Sequence, residues 1–390
     1  MRRYPKVAFA VASFVAAGGA ASSARAGGMD PTPERLYMQP PGLPIAGPNG
    51  PIGCQEVAAN PNLVVQPGSP FPANSSPNQF ACQPNNVAWA NLMSELGMAI
   101  APTAFHAART TGLGGFSLSL EASYTHINAN ATAGGVQYWH DGTQGNVDPN
   151  THRFSTTNTA PDSLLQVYLL KARKGLAYGF EIAGALGTMA NSSLWVGGGD
   201  VRWALLEGYR TGILGYLPDV AIGSGVRTLG GSPKFFLTTV GIDAQLSKPI
   251  TLGDSAVLTP YIGGQRVIIF ADSSTVDLTP TVDPLKQCGW LGANVPGNPY
   301  AKAPYDGTPV CQNKLVNNEP NNSDFNNDRT FNKARIHRWR ALAGVNYRYE
   351  ILYLAGQFAM DLTEPSAENN DLGISGSRQW TISLEAGVFF

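Results

Sequence analysis

Glu121, Glu181, Asp200, Arg202, Arg227, Asp243, Arg338, Arg340, Asp361 and Glu385 each sit on the polar phase of a stretch in which apolar and polar residues alternate. Side chains alternate between the two faces of a strand. Acids and bases on the polar faces of successive strands would therefore look into one shared space. Such a set has two uses: opposite charges pair and brace a narrow lumen, or they line a constriction that selects solutes by charge.

Other chemistry finds less support. A hydrolase needs Ser or a carboxylate beside a His. The candidates are His106, His126, His140, His152 and His337, with His126 and His337 on the apolar phase near strand ends, and no Gly-x-Ser-x-Gly elbow occurs. No catalytic residue is assigned, and an enzyme is not expected. Asp324, Asn326 and Asp328 imitate the opening of a calcium loop, but its sixth position is Arg329 and its twelfth Arg335. No metal site and no cofactor are expected. The cysteines form two local pairs, Cys54 with Cys82 and Cys288 with Cys311, and no Cys-x-x-Cys spacing suggests zinc. In an oxidising compartment each pair would close a loop of about 20 to 30 residues, contributing on the order of 3 kcal/mol.

Composition narrows the class. Of 390 residues only 14% are charged, against about 25% in ordinary soluble chains. The net charge of −1 argues against a nucleic-acid partner, which calls for a concentrated basic face. Residues 1–26 read as a cleaved signal peptide: Arg2, Arg3 and Lys6, then an apolar Val7–Ala20, then Ala24-Arg25-Ala26. Residue 27 is Gly, so no lipid anchor is indicated, and no other stretch reaches the length of a membrane-spanning helix.

From residue 114 onward the elements that must position the ionisable residues become visible. Phe116, Leu118, Leu120, Ala122 and Tyr124 alternate with Ser117, Ser119, Glu121, Ser123 and Thr125. Trp380, Ile382, Leu384, Ala386, Val388 and Phe390 alternate with Gln379, Thr381, Ser383, Glu385 and Gly387, and end the chain. A final amphipathic strand closing on Phe resembles the C-terminal signal of Gram-negative outer-membrane β-barrel proteins. The resemblance implies residence in outer-membrane lipid and recognition of Phe390 by the barrel-assembly machinery.

Eight further strands are predicted near 163–173, 177–190, 194–206, 219–229, 234–247, 256–270, 336–349 and 351–362, the phase of 256–270 being mixed enough to suggest a bulge. The expected fold is all-β, a transmembrane antiparallel up-and-down barrel of about ten strands, with eight to twelve open. By parity the long connections 128–162 and 271–334 share one side with 363–377, and tight turns at Lys174-Gly175 and Glu350 share the other. In outer-membrane barrels long loops lie outside and short turns face the periplasm. Phe116, Tyr178, Tyr347 and Phe390 would mark the inner interface, and Tyr124, Trp339 and Trp380 the outer one.

Residues 27–113 read as a periplasmic or plug-like N-terminal segment, with both chain ends on the periplasmic side. Within it Trp89, Leu92, Met93, Leu96 and Ile100 predict an amphipathic helix over 86–98, capped by Asn85 or Asn86. Its place just before the first strand loosely resembles the fatty-acid transporter barrels, which implies a hatch in the pore. Together these readings predict a narrow porin-like channel or solute-uptake protein, with a small solute as a further partner. A closed structural or adhesin-type barrel binding through 128–162 and 271–334 is the alternative, and an outer-membrane lipid hydrolase a second.

Overall fold

The computed structural model describes residues 28–38, 83–145, 157–208, 216–253, 255–278, 328–367 and 378–390, with short stretches at 46–47, 50–51, 288–290, 309–311, 315–316, 319–320 and 374. Residues 1–26, Cys54, Cys82, His152, Asp324 and Asn326 lie outside the described residues.

Ten strands make the body: β1 Phe116–His126, β2 Leu164–Gly175, β3 Phe180–Met189, β4 Trp195–Leu206, β5 Asp219–Gly230, β6 Phe235–Ser247, β7 Ala256–Ser273, β8 Ala334–Tyr349, β9 Leu352–Asp361 and β10 Trp380–Phe389. Each pairs antiparallel with the next, and β10 pairs with β1, Ser383 opposite Ser123, so the sheet closes on itself. Two short segments, Ile250–Leu252 and Ser366–Ala367, add to its rims. Closure satisfies every ladder and leaves no strand edge for lipid to meet. The Phe390 N–H donates to Phe116 O at 2.8 Å, which joins the chain's last residue to the start of β1.

The alternation now has a physical meaning. Ser117, Ser119, Glu121, Ser123 and Thr125 face inward and are buried, whereas Leu118 on the other face is exposed. The expected bulge in 256–270 is absent: β7 is 18 residues long and keeps one continuous register with both neighbours. The register shift lies instead between Ala204 and Leu206, where β4 meets β5. The faces of β7 look mixed because Val267, Ile269 and Ala271 point inward against an apolar body, while Ile262 and Phe270 point out.

That body is helix α1, Asn86–Ala99, capped by Asn85, whose side chain accepts from the Ala88 N–H at 3.1 Å. Residues 88–99 are all buried, Asn91, Ser94 and Glu95 included, and the helix packs on β1, β2, β6 and β7. The single apolar stripe read from the sequence understates the burial, since polar positions are covered as well. The helix is enclosed on all sides: Ser94 meets Arg338 of the wall, Glu95 meets Tyr138 and Trp139 of the β1–β2 connection, and Asn91 bonds back to Val87 O.

The N-terminal segment also runs opposite to expectation. Asn85 Nδ2 donates to Gly134 O in the long β1–β2 connection at 2.9 Å. Trp89 stacks on Phe331 at 5.0 Å, just before β8. Beyond the helix the chain descends to the tight-turn end, where the Thr111 N–H donates to Glu181 Oε2 at 2.7 Å. Upstream, the Met29 N–H donates to Asn191 O at 2.9 Å and Lys234 pairs with Glu34 at 2.5 Å. Residues 29–37 thus lie at the long-connection end, opposite Phe390, rather than on its side. Residues 85–111 run through the lumen ahead of β1, so this segment enters from the far mouth.

Candidate functional site: a plugged, charged lumen

All ten ionisable residues singled out from the sequence face the interior; nine are buried and Asp200 is half-buried. Most are brought into pairs. Arg227 holds Asp200 through two bonds of 2.8 and 2.7 Å. Arg338 pairs with Asp361 and also donates to Gln379 and Ser94. Arg202 lies 3.6 Å from Asp243. Glu121 and Glu385 take partners that the sequence reading passed over, Lys171 at 2.8 Å and Arg173 at 2.6 Å. Those two cations alternate with Leu170 and Ala172, so the β2 period carried the signal. Glu181 is met by His106 of the plug at 3.4 Å.

Arg340 differs. It is buried, and its hydrogen bonds go to neutral oxygens, those of Gln265 (2.6 Å) and the Pro102 carbonyl. The same use of the wall recurs along the descending segment. Gln265, Gln357 and Gln245 donate to the carbonyls of Pro102 (3.0 Å), Thr103 (2.6 Å) and Ala104 (2.6 Å). Arg173 donates to Phe105 O at 3.0 Å, and Arg202 to His106 O and Ala107 O at 3.0 and 3.1 Å. Residues 102–107 carry no regular secondary structure, so their carbonyls need partners from elsewhere. The wall supplies them.

At the long-connection mouth the closure is different in kind. Trp89 meets Phe235 and Phe331, and Glu95 accepts from the Tyr138 hydroxyl and the Trp139 indole, each at 2.7 Å. Tyr138 belongs to α2, Tyr138–Asp141, in the β1–β2 connection. Burial first, and the neighbouring Glu95 carboxyl second, push the Tyr138 phenol above its ordinary value, so it stays a donor.

The outer surface is the inverse of the lumen. Leu186, Ile242, Ile262, Leu354 and Leu384 are each at least half exposed, which in water would be a large unpaid apolar surface. Aromatic residues gather at both ends of this belt: Tyr178 and Phe390 are exposed near one, Trp195 and Trp339 near the other. His126, a candidate for hydrolase chemistry, stacks on Trp380 at 5.3 Å on this outward face. A closed sheet that is apolar outside and charged inside has lipid for its solvent. The chain is an outer-membrane β-barrel.

No family model and no curated protein matches the chain. Among solved structures it is similar to the attachment invasion locus protein Ail of Yersinia pestis, at 8% identity over 71% of this chain and 99% of that one, TM-score 0.23. OprG of Pseudomonas aeruginosa gives 9% identity over 73% and 99%, TM-score 0.25. Omp33 of Acinetobacter baumannii gives 8% over 71% and 98%, TM-score 0.23. OprG and Omp33 are outer membrane proteins by description, and likeness at this level carries nothing about role; the barrel's architecture rests on its own strand pairings.

Proposed function

We propose that the barrel is a narrow, gated channel for small polar solutes, with the N-terminal segment as its gate. One observation carries this reading: beside residues 102–106 the wall includes Ala183, Gly223, Gly225 and Gly241, which leave room in the lumen that the inserted segment enters, while longer wall side chains reach in to hold its carbonyls. A barrel closed for structural purposes alone would fill its interior with wall side chains, as small barrels do. Polar clamps on carbonyls suit a gate, because water can replace each bond for a net cost of about 0.5–1.5 kcal/mol.

In this reading residues 1–26 are the leader, 27–113 the plug and its extension, and 114–390 the barrel. Phe390 is the assembly signal, and the paired lumen charges that brace the closed state line the passage when it opens. Planar-bilayer recording tests the proposal. The intact protein should show rare, brief openings, and deletion of 86–110 a steady current. Neutralising Arg338 and Arg340 in the deletion variant should shift its ion selectivity toward cations. A folded but silent deletion variant would sink the channel and favour the closed scaffold acting through 128–162 and 271–334.

A further inference from the structure

The outward face of the barrel carries almost no charge. Lys174, Arg266, Asp272 and Arg335 are the only acidic or basic residues, histidine aside, on the outward phase of the ten strands. Lys174 lies at the tight-turn end and donates to Gly114 O at 2.7 Å. The other three stand together on β7 and β8 toward the long connections, where Asp272 is paired with Lys333 at 2.8 Å.

Arg266 and Arg335 share one arrangement. In the β7–β8 ladder Arg266 is opposite Trp339 and Phe270 is opposite Arg335, with Ile268 and His337 between them. The Arg266 guanidinium lies over the Trp339 ring, 5.6 Å from its centre, and the Arg335 guanidinium over Phe270 at 5.3 Å. Both arginines are exposed. Stacking takes only one face of a guanidinium; its N–H donors lie along the edge, in the fork that matches two oxygens of a phosphate. Arg266 makes no hydrogen bond or ion pair among the described residues.

Depth gives this pair its meaning. Exposed Tyr347, opposite Leu258, marks the tight-turn edge of the lipid belt. On a strand tilted by about 40° and rising about 3.3 Å per residue, Arg266 stands roughly 20 Å above that edge and Arg335 roughly 30 Å. An apolar band about 25 Å tall therefore ends between them. Exposed apolar residues surround Arg266: Ile242 and Trp339 on the neighbouring strands, Ile262 and Phe270 along its own. Hydrocarbon offers a guanidinium no acceptor, whereas a long arginine side chain at this depth reaches the phosphates of the interface.

We propose that Arg266 and Arg335 form a site on the lipid-facing wall for a phosphorylated glycolipid of the outer leaflet. Arg266 reaches up from within the belt, and Arg335 stands in the headgroup layer. Four residues of strand separate the two, roughly 13 Å, which suits a headgroup with phosphates at both ends rather than a single phosphodiester. With long connections outside, as in outer-membrane barrels, the leaflet they face is the outer one. The inference rests on that orientation and not on the channel reading.

Native mass spectrometry of the full-length protein in detergent, titrated with diphosphoryl lipid A, should show the lipid retained. Lipid A with both phosphates removed, and phosphatidylglycerol, should each bind about 10-fold more weakly. Arg266→Gln should weaken diphosphoryl lipid A by about 10-fold, and Arg335→Gln is an independent second variant. Lys174→Gln, at the opposite end of the wall, should leave retention unchanged. Equal retention by the parent and both arginine variants, either control lipid held as tightly as diphosphoryl lipid A, or no retention at all overturns the site. The plug-deleted barrel's conductance is a separate measurement, so the channel stands or falls apart from these results.

Discussion

Gly97 of α1 lies against Ile269 of β7 so closely that a Cβ at 97 would overlap the isoleucine's Cγ2. Glycine inside a helix costs about 1 kcal/mol relative to alanine, so its presence here reflects the close approach of helix and wall. Gly97→Leu should overpack the lumen, destabilising the seated plug by about 1–3 kcal/mol. In bilayers this variant should open more often than the parent, with the barrel's folded band on unheated gels unchanged. An unchanged open frequency would detach α1 from gating.

Arg338 and Asp361 form a fully buried pair in the half of the lumen nearer the long connections. Arg338→Met strands the carboxylate and should cost about 3–5 kcal/mol in urea unfolding from lipid vesicles. Adding Asp361→Leu should recover much of that loss, since what is expensive is the unpaired charge. Additive losses would show that the two do not act as a pair.

Cys288 and Cys311 are Cα partners in a short antiparallel pairing within the β7–β8 connection. Directly opposed Cα atoms stand about 4.5–5.5 Å apart, inside the range a disulfide spans. A Cys288–Cys311 bond is therefore expected in protein purified from the outer membrane. Thiol alkylation followed by peptide mass mapping should find the two linked, and free alkylated Cys288 would refute the bridge.

The N-terminal segment carries a topological prediction. Residues 29–37 meet the β3–β4 and β5–β6 turns at the long-connection end. An epitope inserted after residue 40 should be reached by antibody on intact cells, and a tag following Phe390 only after the outer membrane is permeabilised. The reverse pattern would place the plug's entry at the periplasmic mouth.

The strands were legible because lipid outside and water or charge inside impose a period of two, and a closed ring repeats that demand ten times. Predicted and observed bounds differ by no more than about three residues at most ends, and β7 was misjudged where its inner face turns apolar against α1. The helix was visible in Trp89, Leu92, Met93 and Leu96, and its cap in Asn85. Its setting was not, since a period of 3.6 reports one apolar stripe and says nothing about what covers the other side.

By itself the sequence determined a closed-barrel pattern, the inward phase of ten charged residues, and a short helix ahead of the first strand. Local alternation suffices for these, because each side chain answers only to its own face. Which charge meets which, that Lys171 and Arg173 complete the set, that Gln245, Gln265 and Gln357 clasp the carbonyls of residues 102–104, and that residues 29–37 lie at the far mouth were decided by the tertiary structure alone. Those partners lie far apart along the chain, and only the barrel's closure and register bring them within reach of one another.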